Sequence, residues 1–451
     1  MHKALEGLRI IDLTMGWAGP LATRNLADMG AQVIKVESCE RFDWWRSWEA
    51  TEAWIADNGA EKSPQYLSVN RNKLDITLDL EHPRGRELLL QLVATADALV
   101  ENYSGGVLPK LRLDYQHLIE ANPQLVMVSM PAFGSTGPWS EFRAYGSTVE
   151  HSSGLPHLVG DPDQPPTMQH VAFGDAVGGL NGTAAILTAL WHKQRTGQGQ
   201  FVDLSQVECL LPLAAQGVLH QSVHGTAPER HGNAHPEHAP YGVYPCQGED
   251  AWVLIQVQSE DQWTSIQRLI PGLADFGDLA SRLRRRQDLD SVVAQWTALY
   301  SSEAVMHRLQ AEGITAAKLN NGEDLLHEPQ LTDRQYLQWL ERGLCGSSAQ
   351  RQCAVSHRGC THPHRKPGPD PRPTQCVCAG RNVETQRLGN CRVGRARHHR
   401  YDTEIAQDPV VETQKPAPNW LWRHIQQLGK SRRLMRPDNQ LLQHPVTSAL
   451  S

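Results

Sequence analysis

GLRIIDLTMGWAGPLATRNLADMGAQVIKVE, residues 7–37, decides the fold. GLRIIDL (7–13) is apolar and β-branched behind a glycine, which predicts a buried strand. TMGWAGP then reads as a loop. Pro20 suits the first turn of a helix, where its missing N–H would be unpaired anyway. PLATRNLADMG (20–30) is that helix, stopped by Gly30, and AQVIKVE (31–37) is the next strand. A strand, a helix and a second strand in this order begin a parallel sheet covered by helices.

The pattern repeats downstream. KLDITLDL (73–80) and DALVENY (97–103) read as strands on either side of an amphipathic helix at 82–96. A helix at 115–123, a strand at 124–134, a long apolar helix at 175–195 and the strand FVDLS follow. Past the polar connection SVHGTAPERHGNAHPEHAP come GVYPC, the strand WVLIQVQS (252–259) and the helix EDQWTSIQRLI. Residues 305–326 read as helix, strand and the start of another helix. The class is α/β, with a large domain at 1–224, a small α/β domain at 225–330 and a third segment at 331–451.

Composition narrows the function. The chain has 451 residues, is 40% hydrophobic and carries a net charge of −6. That balance gives no general reason to expect a nucleic-acid partner. No apolar run reaches the ~20 residues of a membrane span, and the N-terminus lacks the pattern of a secretory signal. A cytoplasmic protein is expected, without a membrane partner.

The third segment is a different kind of text. Residues 341–400 hold twelve Lys/Arg against three Asp/Glu, which leaves the remainder of the chain at −15. Only six of those sixty residues are Leu or Val, and none is Ile, Met, Phe, Tyr or Trp. Such a segment has little apolar surface to set against its ordering entropy. Three readings stay open: a basic disordered arm, a zinc module built on its clustered Cys and His, or translation in the wrong reading frame. The spacing fits no ordinary zinc finger, so no metal site is assigned. NWLWRHIQQLGKSRRL (419–434) is helix-like text within the same segment.

Two features invite chemistry. Glu37 ends a strand 21 residues after Gly16, as the ribose-binding acid of a dinucleotide fold would. The loop is Gly16-Trp17-Ala18-Gly19-Pro20, however, not G-x-G-x-x-G, so a dehydrogenase is not expected. The second feature is AFGDAVGGLNGTAAIL (172–187), where Asp175 stands among glycines at the front of a helix. It reads either as an N-cap or as a nucleophile that Gly174, Gly178 and Gly179 keep clear for a bulky substrate. His151, His157 and His170 lie nearby and read as structural or exposed.

Five stretches in order resemble the class III coenzyme A transferases, the family of formyl-CoA transferase and crotonobetainyl-CoA:carnitine CoA-transferase. They are residues 7–37, NRNKLDITLDLEHPRGRELLLQLVATADALVENY, FRAYGSTVEHSSGL, AFGDAVGGLNGTAAILTALWHKQRTGQGQFVDLSQVE and GNAHPEHAPYGVYPCQGEDAWVLIQV. The resemblance covers about residues 5–330. It implies a Rossmann-like large domain, a small domain and an interlocked homodimer. It implies Asp175 as the nucleophile and coenzyme A thioesters and carboxylic acids as substrates, with no resident cofactor. It implies a CoA site at Gly16, Trp17, Ala18, Asn72, Lys73, Asn102, Tyr103, Arg143 and Tyr145, with Lys73 and Arg143 meeting phosphates.

Trp17 and Gly146 stand where formyl-CoA transferase carries Gln and Glu, so formate–oxalate specificity is not expected. Arg41 is the candidate to stack on adenine. A racemase of α-methylacyl-CoA shares this family fold, but R-A-Y-G-S replaces its G-H-D motif and favours transfer. An inactive product of a damaged gene is the third reading, carried by the odd C-terminal segment.

Overall fold

A computed structural model describes residues 3–38, 42–46, 51–342 and 346–351. Six strands form one parallel sheet: β1 (Arg9–Asp12), β2 (Gln32–Glu37), β3 (Leu74–Thr77), β4 (Ala98–Glu101), β5 (Val126–Ser129) and β6 (Gln200–Asp203). Their order across the sheet is β3-β2-β1-β4-β5-β6, the doubly wound arrangement. Side chains alternate between its faces, as the period of two demands. Ile10 of β1 enters one buried cluster with Ala22, Leu26 and Ile186. Ile11, its neighbour, enters the opposite cluster with Leu89, Val93 and Leu118.

The helices that cover the sheet follow from those clusters. α1 (Ala18–Asp28) lies on the first face, α2 (Pro83–Val93) and α3 (Tyr115–Ala121) on the second. α4 (Gly146–Ser152), α5 (Phe173–Thr196) and α6 (Leu211–His224) come later in the chain. α5 returns to the first face and packs along α1. Both helices start earlier than the residue pattern predicts, at 18 rather than 20 and at 173 rather than 175. Trp17 and Ala172 occupy the two N-cap positions, and neither side chain caps the helix.

A stripe of glycine sets the α1–α5 spacing. A Cβ on Gly179 would lie 2.7 Å from the carbonyl oxygen of Ala18, and one on Gly182 would lie 2.6 Å from Cε of Met130. A Cβ on Gly174 would meet the carbonyl of Gly146 at 2.5 Å. Real Cβ atoms do not approach so closely, so these glycines hold backbones together. That corrects the expectation that Gly174, Gly178 and Gly179 clear space for substrate: all three are buried in packing contacts.

A second sheet is antiparallel, β7 (Tyr241–Pro245), β8 (Trp252–Gln256) and β9 (Thr315–Lys318), in that order. It has its own buried cluster, with Val253, Ile255, Trp263, Leu289 and Leu309. Residues Leu337–Arg342 and Gly346–Arg351 pair as a two-stranded antiparallel ladder, β10 and β11. The helix-like text at 419–434, most of the basic stretch and Arg41 lie outside the described residues.

Candidate active site

The switch point of a doubly wound sheet lies between the two strands whose connections run to opposite sides, here β1 and β4. Asn102, just after β4, clamps the loop that follows β1. Its Oδ1 accepts from the Met15 N–H at 2.8 Å, and its Nδ2 donates to the Met15 carbonyl at 2.9 Å. Both backbone hydrogen-bonding groups of Met15, at the start of the Gly16–Ala18 loop, are thereby held. Gly16 has φ +76°, and a Cβ on it would lie 2.6 Å from the Trp44 ring. No other residue fits that point without moving the ring.

Behind the loop lies a buried charge network. Asp12 ends β1 and accepts from Lys73 Nζ at 2.9 Å, Thr14 Oγ1 at 2.5 Å and Thr23 Oγ1 at 2.7 Å. Lys35 donates to the Thr14 carbonyl at 2.6 Å and pairs with Asp43 at 3.1 Å. Asp43 accepts from the Gly16 N–H at 3.1 Å. Arg46 pairs with Glu37 at 2.9 Å and Asp75 at 2.6 Å, and its guanidinium lies 3.6 Å from the centre of the Tyr66 ring. Burial works against the Glu37 anion, but Arg46, a hydrogen bond with Asp75 and Lys35 together outweigh it and lower the carboxyl to about 2. Glu37 is thus consumed by the fold, as the missing glycine fingerprint already indicated for a ribose site.

Asp175 is the third residue of α5, in its first turn rather than at its cap. Its carboxylate lies beside the backbone N–H groups of Gly146 and Ala18, which lower its carboxyl. Those are the first residues of α4 and α1. Three helix N-termini therefore converge on one carboxylate, and each presents partial positive charge to it. Burial still prevails, and the Asp175 carboxyl is pushed up to about 6. Gly146 leaves no room for a side chain here, since a Cβ on it would lie 2.2 Å from Asp175 Oδ2.

The remaining candidates divide. Trp17, Ala18 and Tyr145 border Asp175, because they carry or precede its two N–H donors. Arg143 is exposed and makes no ion pair among the described residues. Tyr103 is partly buried against the second-face cluster, and its N–H donates to Glu101 at 2.8 Å. Glu101 also accepts from Ser129 Oγ, and burial pushes its carboxyl up to about 7.

Asn72 and Lys73 turn inward, which corrects the reading of Lys73 as a phosphate partner. Asn72 donates to Asp28 at 2.8 Å, beside the buried Arg71–Asp28 pair. The Lys73 ammonium is enclosed by Asp12, the Pro20 carbonyl and Asn70, and burial lowers it to about 8. A cation so enclosed has no proton left to offer a phosphate.

One part of the site escaped the residue reading. Trp44, Trp45 and Arg46 form a 3-10 turn that Asp43 and Arg46 pin to the charge network. Trp44 meets Tyr145 edge-on with ring centres 5.9 Å apart, and Trp45 meets Trp17 at 5.0 Å. His151 and His157 are exposed, and His170 stands edge-on to Trp17 at 6.0 Å. The doublet Trp44–Trp45 was the available signal, but its partners are distant in sequence.

Comparison with known proteins adds an independent line. A sequence model of CoA-transferase family III matches residues 5–372, running on past residue 330. The chain is 32% identical over 335 residues to a succinate–glutarate CoA-transferase of Agrobacterium fabrum, covering 73% of this chain and 83% of that protein. It is 34% identical to a succinyl-CoA:mesaconate CoA-transferase of Haloarcula hispanica, over 74% of this chain and 85% of that one. The crystal structure of a CaiB/BaiF family protein from Brucella suis superposes with a TM-score of 0.73 at 30% identity. That match covers 82% of this chain and 96% of the other.

Proposed function

The chain belongs to CoA-transferase family III and is a CoA-transferase acting on CoA thioesters, and we propose that it works through covalent intermediates on Asp175. A carboxylate ionised at neutral pH attacks a thioester without a general base. Asp175 Oδ adds to the acyl carbonyl, and CoA leaves as thiolate, forming an aspartyl acyl anhydride. The thiolate then attacks the aspartyl carbonyl of the anhydride. The donor acid departs as carboxylate, and an aspartyl-CoA thioester remains. The acceptor carboxylate repeats these two steps in reverse, releasing the new acyl-CoA and free Asp175. No net proton is taken up or released.

The observation that carries this reading is the pair of backbone N–H groups, of Gly146 and Ala18, beside Asp175. Each addition builds negative charge on a carbonyl oxygen beside the same two helix N-termini. Donors held by backbone need no reorganisation when that charge appears. Partial burial contributes as well: it raises the energy of the ground-state carboxylate, which is pushed up to about 6 yet stays largely ionised at pH 7.

Coenzyme A lies, in this proposal, along Gly16, Trp17 and Ala18, with Asn102 and Tyr103 on the neighbouring strand end and Arg143 at a phosphate. The site belongs to a large domain ending near 224, followed by the small domain. The working unit is a homodimer, supported by the apolar residues that α6 leaves exposed.

Incubation with an acyl-CoA followed by hydroxylamine tests the covalent step. The expected result is a hydroxamate at Asp175 by peptide mass spectrometry, absent from Asp175→Asn. Transfer by Asp175→Asn at the wild-type rate would overturn the assignment.

A further inference from the structure

We propose that an aromatic arc forms the acyl-binding wall of this site, and that one of the two acids exchanged carries an uncharged aryl or branched-alkyl group. The inference rests on the proposed transfer chemistry and names one of its substrates. The arc is Tyr145, Trp44, Trp45, Trp17 and His170, each ring in contact with the next. Successive ring centres are 5.9, 5.5, 5.0 and 6.0 Å apart, and all four contacts are edge-to-face.

Its position matters more than its size. Tyr145 precedes the Gly146 donor, and Trp17 precedes the Ala18 donor. The arc therefore joins the segments that carry these two N–H groups, beside the nucleophile's helix. Its middle is held rigidly, since Asp43 accepts from both the Gly16 and the Trp45 N–H and Arg46 anchors the turn to Glu37. A preformed apolar wall of this kind favours an apolar group over water.

A second carboxylate on the acid would need a cation. The cations behind this wall are already committed: Lys35 to Asp43, Arg46 to Glu37 and Asp75, and Lys73 to Asp12. Desolvating an anion on this wall without one of those cations is costly. Arg143, exposed two residues before Tyr145, is the cation through which a dicarboxylate would be served instead.

The full chain should be assayed with succinyl-CoA, acetyl-CoA and phenylacetyl-CoA as donors, each against phenylacetate, isovalerate, glutarate and γ-butyrobetaine. The expected kcat/KM for phenylacetate or isovalerate exceeds that for glutarate at least tenfold. Trp45→Ala should lower it about tenfold, mainly through KM, and Trp45→Phe should recover most of the loss. Preference for glutarate that Arg143→Gln abolishes would overturn the proposal and leave the transferase reading standing. So would preference for the betaine, or a selectivity that Trp45→Ala leaves unchanged. Absence of transfer for every pair, with no label on Asp175 in a folded sample, would overturn both.

Discussion

Asp175 is governed by two opposed effects, and their balance is measurable. Burial raises its carboxyl, while the Gly146 and Ala18 N–H groups lower it, and the outcome is about 6. In the proposed mechanism the anion is the nucleophile, so activity should fall as pH drops through that value. We expect kcat/KM at pH 5 to be about a tenth of its plateau. A profile flat down to pH 4.5 would show that the carboxyl keeps its ordinary value. The loss should not reflect unfolding. A carboxyl raised in the folded state favours that state as pH falls, whereas Glu37, lowered to about 2, keeps nearly all of its stabilising effect at pH 5 and loses it progressively below that. Far-UV circular dichroism at pH 5 should therefore match that at pH 7. Asp175 stood out in the sequence through its glycine context. Its donors did not, because Gly146 and Ala18 lie 29 and 157 residues away and only packing of α4 and α1 against α5 brings them in.

At the level of elements, strands and helices that bury a periodic face were readable to within a few residues. β1, β2, α1 and the β7–β8 unit all follow from local pattern. The turn at Trp44–Arg46 does not, since its partners Glu37, Asp75 and Tyr66 belong to other elements. The same blindness misplaced Lys73. A lysine beside a turn looks solvent-facing until the fold shows β3 delivering it beneath β1. Two substitutions separate the roles. Lys73→Met removes the cation facing Asp12 and strands a buried carboxylate, at a cost of about 3–5 kcal/mol. Thermal unfolding should reveal that loss, and the folded fraction should keep its KM for acyl-CoA. Arg143→Ala should do the reverse, with an unchanged melting temperature and KM for acyl-CoA raised about five- to tenfold. A raised KM with unchanged stability in Lys73→Met would return that residue to the phosphate site.

At the scale of the molecule, apolar side chains on two helices are left uncovered among the described residues. α6 has 14 residues, and Ala214 alone among them is buried. Leu213, Val218, Leu219 and Val223 are exposed, as are Leu180 and Trp191 of α5. An exposed apolar surface of this extent marks a contact with another macromolecule. We propose that a second copy of the chain covers it, because α5 carries Asp175 at one end and uncovered residues further along. Dimer formation would then brace the helix that presents the nucleophile. Light scattering behind size exclusion should give twice the chain mass at micromolar concentration. Leu219→Asp with Val223→Asp places two charges in the contact and should shift the population toward monomer or aggregate, with transfer falling at least tenfold. The pair lies on α6, away from Asp175, so a monomer that retained full activity would show that the site is complete within one chain and that this face serves another purpose.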